Sequence, residues 1–439
     1  MAFPSTIKAV AIQNKNTLNP IILALLLLSS ILSRVQFPFF KINSHYVFFL
    51  VFSLTLLYLN LTSFKPVFNY HKNSLFLLGL LYLWMWVGAL VSQFPTTAIK
   101  YTLISSIYFV LFVLILCITF TKNEKYLYHR IVFRFLVFLA LFGCLQYLFP
   151  DLGVFNVITY KFDAFYPRIS SFMQWPNQFA VVMAIGVSLA IILYKYRAIS
   201  IHEACLGSVL FIVTISLSGS RNGWLMLSLV IGLLWLYQVI KLRGVVIITA
   251  LWIFSMLFFP VPTYRLGIKD SPIFPLTNTL MTNVGVEPEI TLKNPQLKTK
   301  VLVSETPGRL LLIKNATKEI IQRPLTGAGL GVFAEQIESQ SWGGTWGGKG
   351  VHTHNLILNI LVELGIPGLL IAIALIVSLL KKAKLNRAIT TIPVIILFAS
   401  QMADYFMLHD STFTLLFIYF LAEASNSKIE GMTRTLETS

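Results

Sequence analysis

Between residues 350 and 368 the chain reads GVHTHNLILNILVELGIPG, which sets two histidines, two asparagines and a glutamate into an otherwise apolar run. On a helix starting near His354, the residues Asn355, Asn359 and Glu363 recur every four positions and form one polar stripe on a Leu/Ile/Val surface. Polar groups at membrane depth are costly unless they face a partner or a water-filled cavity, so the stripe is expected to look inward. At its head, the helix N-terminus disfavours an imidazolium and keeps a ring nitrogen of His354 ready to take a proton, as a general base requires. Metal binding is a second reading, but His352 and His354 are two apart rather than the four of a helical zinc motif. Glu363, Asp404, His409 and Asp410 would complete a ligand set only through a fold that the spacing does not reveal. A third reading, strongest for His352, is an interfacial histidine bonded to a backbone carbonyl.

Three arginines extend the candidate chemistry. Arg168 opens RISSFMQWPNQFA, Arg221 lies in the short turn SGSRNGW, and Arg309 precedes the apolar run of SETPGRLLLIKNATKEIIQRP. A guanidinium is the side chain best shaped for bidentate phosphate contacts. The alternative for each is snorkelling to lipid headgroups, which fits Arg309 better than Arg221, because a turn of a few residues keeps its arginine close to the bundle.

The elements that must position these groups are membrane helices. Of the 439 residues, 56% are hydrophobic and only 12% charged, with mean hydropathy +0.77, which excludes an ordinary soluble domain. Twelve apolar runs are expected to span, at about 18–33, 45–61, 74–91, 100–120, 129–149, 177–194, 204–219, 222–240, 244–260, 366–382, 388–403 and 411–424. The first 17 residues are polar and no small-residue cleavage site follows the first run, so no cleaved signal is expected. With the N-terminus inside, 18 of the 34 Lys and Arg fall on cytoplasmic segments, 6 on short outer loops and 10 in the long segment 261–353. That bias puts the long segment outside. The net charge of +17 is thus a topology signal and does not argue for nucleic acid. Cys117, Cys144 and Cys205 lie in or at the ends of spans and form no metal or disulfide framework.

The expected organisation is an all-α polytopic protein: spans 1–9 in residues 1–260, a periplasmic loop with the His-Asn helix in 261–365, spans 10–12 in 366–424 and a cytoplasmic tail in 425–439. Within the loop, Leu310, Ile313, Thr317, Ile320 and Ile321 share one helical face, with a start at Thr306–Pro307 and a stop at Pro324. This helix lies either on the membrane-water interface or in the core of a small soluble subdomain. The glycines of GAGLGVF, residues 327–333, suit a tight turn where backbone meets backbone, since no Gly-Lys-Ser/Thr follows to hold a nucleotide. In WGGTWGGKG, Trp342 and Trp346 are suited to interfacial anchoring or to stacking on a sugar, with the glycines as hinges.

SSFMQWPNQFA, SGSRNGW, RPLTGAGLGVF and above all HTHNLILNILVELGIPG resemble the O-antigen ligase family of bacterial envelope proteins. The resemblance covers residues 168–368, and its superfamily also holds O-antigen polymerases and protein O-oligosaccharyltransferases. It implies a metal-independent glycosyltransferase of the bacterial inner membrane, working at the periplasmic face without a cofactor. The donor would be a glycan on undecaprenyl diphosphate and the acceptor a sugar of the lipid A core. It further implies that His354, Arg221 and Arg309 are catalytic and that Arg168 is a further motif arginine; Arg168, Asn177, Asn355, His352 and Glu363 are the residues expected to contact diphosphate or acceptor. A lipid-linked glycan transporter is the reading from a different class; the absence of repeated halves speaks against it.

Reporter fusions near Thr299 and at the C-terminus are expected to report opposite sides of the membrane; the same side at both positions would contradict the assigned topology.

Overall fold

The computed structural model describes residues 5–30, 44–116, 118, 122–149, 168–173, 175–258, 312–338, 352–382, 388–403 and 411–426. Among them there is no strand. The helices are α1 (Ser5–Ser30), α2 (Ser44–Val91), α3 (Pro95–Leu116), α4 (Lys122–Leu148), α5 (Pro176–Lys195), α6 (Ile201–Ser218), α7 (Arg221–Leu236) and α8 (Leu242–Phe258). They continue with α9 (312–322), a short π-helical segment (Phe333–Glu338), α10 (Leu356–Leu380), α11 (Ala388–Ala403) and α12 (Ser411–Asn426). Six stretches are long and apolar enough to cross a membrane, and six shorter apolar helices accompany them, so the chain is a multi-pass membrane protein.

Helix α2 is not one straight rod. The Phe49 ring meets Tyr108 edge-on at 6.1 Å, and Tyr82 lies 5.2 Å from the ring of Phe109, the next residue of α3. On a straight helix rising about 1.5 Å per residue, Phe49 and Tyr82 would stand about 50 Å apart. The element therefore doubles back, and its two apolar arms, Tyr46–Leu59 and Phe68–Val91, correspond to the separate runs expected at 45–61 and 74–91.

The bundle is built around α5, which packs against α4, α6, α7 and α11 and is buried along almost its whole length. Its sequence explains this. Pro176 sits in the first turn, where its missing N–H costs nothing, and Gln178 Oε1 accepts from Trp175 N at 3.1 Å. Small residues then allow close approach: a methyl on Gly186 would lie 2.8 Å from the Phe211 ring, and one on Gly223 would overlap the Ala180 side chain. At the far end, away from the candidate residues, the buried Glu423 of α12 lies 3.1 Å from His129 Nε2 and 3.9 Å from Lys125 Nζ, so polar contacts join α12 to α4.

The His-Asn helix and the span expected at 366–382 are two parts of α10. At Gly365 the backbone takes φ 69 and ψ −174, a conformation open essentially to glycine alone. The break leaves the carbonyls of Val362, Glu363 and Leu364 without helical partners. Ala328 N meets the first at 2.8 Å, Gly329 N the second at 3.0 Å, and the Trp84 indole N–H the third at 2.8 Å. In return, Ile366 N donates to Pro324 O at 2.8 Å. The loop 324–331 thus caps the break, and a methyl on Gly327 or Gly365 would strike the backbone of the opposite segment. The expectation of a tight backbone approach at GAGLGVF is met here.

Helix α9 divides its apolar residues between the protein and an outward face. Leu312, Ala316 and Ile320 lie against Phe333, Leu358 and Val362, whereas Ile313 and Ile321 are exposed. The helix ends before Pro324 as expected, while its expected start at Thr306–Pro307, together with Leu310, lies outside the described residues.

A paired substitution tests the capped break. Gly365→Ala should lower stability by more than the ~1–3 kcal/mol of an unfavourable backbone region, because the methyl also strikes the Leu325 carbonyl. Gly79→Ala, in α2 with nothing near the added methyl, should be neutral or stabilising by up to about 1 kcal/mol. Thermal unfolding in detergent measures both, and equal behaviour would contradict the capped break.

Candidate functional site

SGSRNGW forms the turn between α6 and α7. Gly219 ends α6 at φ 59, Ser220 caps α7 by accepting from Gly223 N at 3.1 Å, and Arg221 is the first helical residue, exposed at the bundle end. Arg168 lies beside this turn. Its Nε donates to Ser218 O at 2.7 Å and its Nη2 to Asn177 Oδ1 at 2.9 Å, so one guanidinium joins the end of α6 to the start of α5. The strand of chain carrying Arg168 is itself anchored, since Gln146 Oε1 accepts from both Ser170 N (3.2 Å) and Ser171 N (3.0 Å). Arg168 and Asn177, expected to contact substrate, are therefore bonded to each other beside Arg221.

The second corner carries the histidines. Asn355 is the N-cap of α10, with Oδ1 accepting from Leu358 N at 3.0 Å, and His354 precedes it with φ 55, a left-handed conformation unusual for a residue with a side chain. Thr353 Oγ1 reaches over this residue to Asn355 O at 2.9 Å. His352 and His354 are both half-buried. Asn359 and Glu363 are buried at 1% and 2% exposure, so these two stripe members do face inward. Glu363 accepts from Gly331 N and from Asn359, which ties the capping loop to the same helix. Asn355 departs from the expected stripe by standing at the cap, with its amide turned to backbone.

The last turn of α11 connects the two corners. Asn222, next to Arg221, donates to Ser400 O at 3.4 Å, and Asn355, next to His354, donates from Nδ2 to Met402 O at 3.1 Å. Two carbonyls two residues apart thus hold the arginine turn and the histidine segment to one end of the bundle. An imidazole and a guanidinium at one end of a bundle can take a proton and stabilise phosphate charge. Arg309, Trp342, Trp346, Asp404, His409 and Asp410 lie outside the described residues. Among the described residues, no three His, Cys, Asp or Glu side chains converge as metal ligands would.

The sequence reading did not single out Trp84, Ser92 or the end of α11. Ser92 Oγ donates to Ala328 O at 2.6 Å and accepts from Phe94 N at 3.1 Å, steadying the capping loop against the start of α3. Trp84 offered one local signal, an indole donor inside an apolar run that must find an acceptor. Ser400 and Met402 offered none, because they contribute backbone carbonyls.

A family model described as O-antigen ligase matches residues 206–373, which include Arg221, Arg309, the capping loop, His354 and the break at Gly365; Arg168 and Asn177 precede the match. No curated protein matches the chain.

Proposed function

With residues 206–373 falling in the O-antigen ligase family, we propose that this protein is an O-antigen ligase of the bacterial inner membrane. It transfers a glycan from undecaprenyl diphosphate to a sugar hydroxyl of the lipid A core. All twelve apolar segments cross the membrane, both termini are cytoplasmic, and segment 261–353 is periplasmic. The single observation that carries the mechanism is the shared attachment of the Arg221 turn and the His354 segment to the last turn of α11.

The reaction follows from holding a base and an arginine turn at one end of the bundle. His354 accepts the proton of the acceptor hydroxyl as its oxygen bonds to the anomeric carbon of the donor. The bond from that carbon to the diphosphate oxygen breaks, and undecaprenyl diphosphate leaves with its charge held by Arg221 and Arg309. Arg168, already bonded to Asn177, braces the α5–α6 side of the Arg221 turn, while His352, Asn355 and Glu363 shape the histidine side. The leaving group already holds the driving energy, so positioning, one base and the arginines suffice without nucleotide or metal. Attack opposite the diphosphate inverts the anomeric carbon.

Helix α9 lies at the outer membrane surface in this reading. Its exposed Ile321 and the adjoining Leu325 continue the exposed stripe of α10, Ile366, Leu370, Ile373 and Val377, through the Ile366–Pro324 hydrogen bond. Lys314 and Lys318 flank them toward the headgroups.

Purified His354→Ala and Arg221→Ala variants should remain folded and lose transfer by about 10² to 10⁴ for the base and at least about 10-fold for the arginine; near-normal turnover of His354→Ala would reject the base assignment. In cells, loss of the protein should leave full-length polymer on undecaprenyl diphosphate and lipopolysaccharide with core alone. Core capped by a single repeat would instead identify a polymerase.

A further inference from the structure

His354 sits in a backbone conformation that a residue with a Cβ adopts at a cost of roughly 1–2 kcal/mol, so its neighbours must impose it. The contacts that do so converge on Asn355. Its Oδ1 caps α10 through Leu358 N, and its backbone carbonyl accepts from both Asn359 N at 2.9 Å and Thr353 Oγ1 at 2.9 Å, closing the chain around His354. Its Nδ2 reaches Met402 O at 3.1 Å, on the turn of α11 whose Ser400 carbonyl receives Asn222. The oxygen of the amide therefore serves the helix, and the nitrogen serves the registration of His354 against Arg221.

We propose that Asn355 is a positioning residue for transfer, acting through its Nδ2–Met402 hydrogen bond, which sets His354 relative to the arginine turn, and not through contact with either substrate. This rests on the ligase reading, in which His354 is the base. It assigns the two ends of one side chain to two separable tasks. Serine keeps the first task and loses the second, because its hydroxyl caps a helix about as well as asparagine but does not extend to α11. Alanine loses both.

The test compares Asn355→Ser, Asn355→Ala and His354→Ala, alone and combined, in purified full-length protein with a lipid-linked donor and core acceptor. Asn355→Ser should unfold within a degree or two of the unsubstituted protein, retain KM for both substrates, and lose kcat by roughly ten- to a hundred-fold, the effect of a misplacement of about 1 Å. Asn355→Ala should show the same kcat loss together with a lowered Tm. Placed on His354→Ala, Asn355→Ser should cause no further loss, because its effect passes through the imidazole. A raised KM at unchanged kcat would assign Asn355 to substrate binding and overturn the proposal. So would full activity of Asn355→Ser, or an additional drop on the His354→Ala background. Failure of the base assignment on which the proposal rests has a different signature, an active His354→Ala protein, whatever the serine variant does.

Discussion

The carbonyls of Val362, Glu363 and Leu364 are the point on which the site depends. A helix broken inside an apolar bundle leaves such groups without water, and each one unmatched would cost about 1–3 kcal/mol. Here Ala328 N, Gly329 N and the Trp84 indole meet them, and the glycines at 327 and 365 let the two backbones come close enough to do so. The capping loop is held in turn by Ser92 and the start of α3. Because the break is satisfied, the short first part of α10 can stand apart from the membrane-crossing part and present Asn355 and His354 at its head. A continuous helix through residue 365 would remove the need for the loop and re-aim both residues.

Around that break the protein joins two otherwise distant corners by backbone acceptors. Arg168 uses the carbonyl that ends α6, while Asn222 and Asn355 use carbonyls that end α11. Helix C-termini supply carbonyls without helical partners, so amide and guanidinium donors can dock there without any matching side chain. The contact of Asn222 at 3.4 Å is looser than that of Asn355 at 3.1 Å, which places the tighter constraint on the histidine side.

The apolar runs, the turn at SGSRNGW and the inward-facing Asn359 and Glu363 were legible in the sequence, because each follows from local periodicity or from one capping residue. Asn355 falls in register with the stripe, yet an asparagine just before an apolar run is also an N-cap signal, and the cap prevails. On α9 the pattern was ambiguous: apolar residues occur on adjacent faces, and the partners Phe333, Leu358 and Val362 decide that Leu312, Ala316 and Ile320 turn inward. The Arg168–Asn177 pair, the indole on Leu364 O and the end of α11 depend on contacts between distant segments. No spacing rule encodes them, least of all where the acceptor is a main-chain carbonyl that any residue carries.

In the proposed reaction the donor diphosphate binds where the Arg221 turn and the His354 segment meet the end of α11. A cryo-electron microscopy map of the protein in lipid nanodiscs with undecaprenyl diphosphate added tests it most directly. The account predicts the diphosphate within hydrogen-bonding distance of the Arg221 guanidinium, with its glycan-bearing end directed toward His354. Diphosphate density at the opposite end of the bundle, near Glu423 and His129, or between helices remote from Arg221, would contradict it.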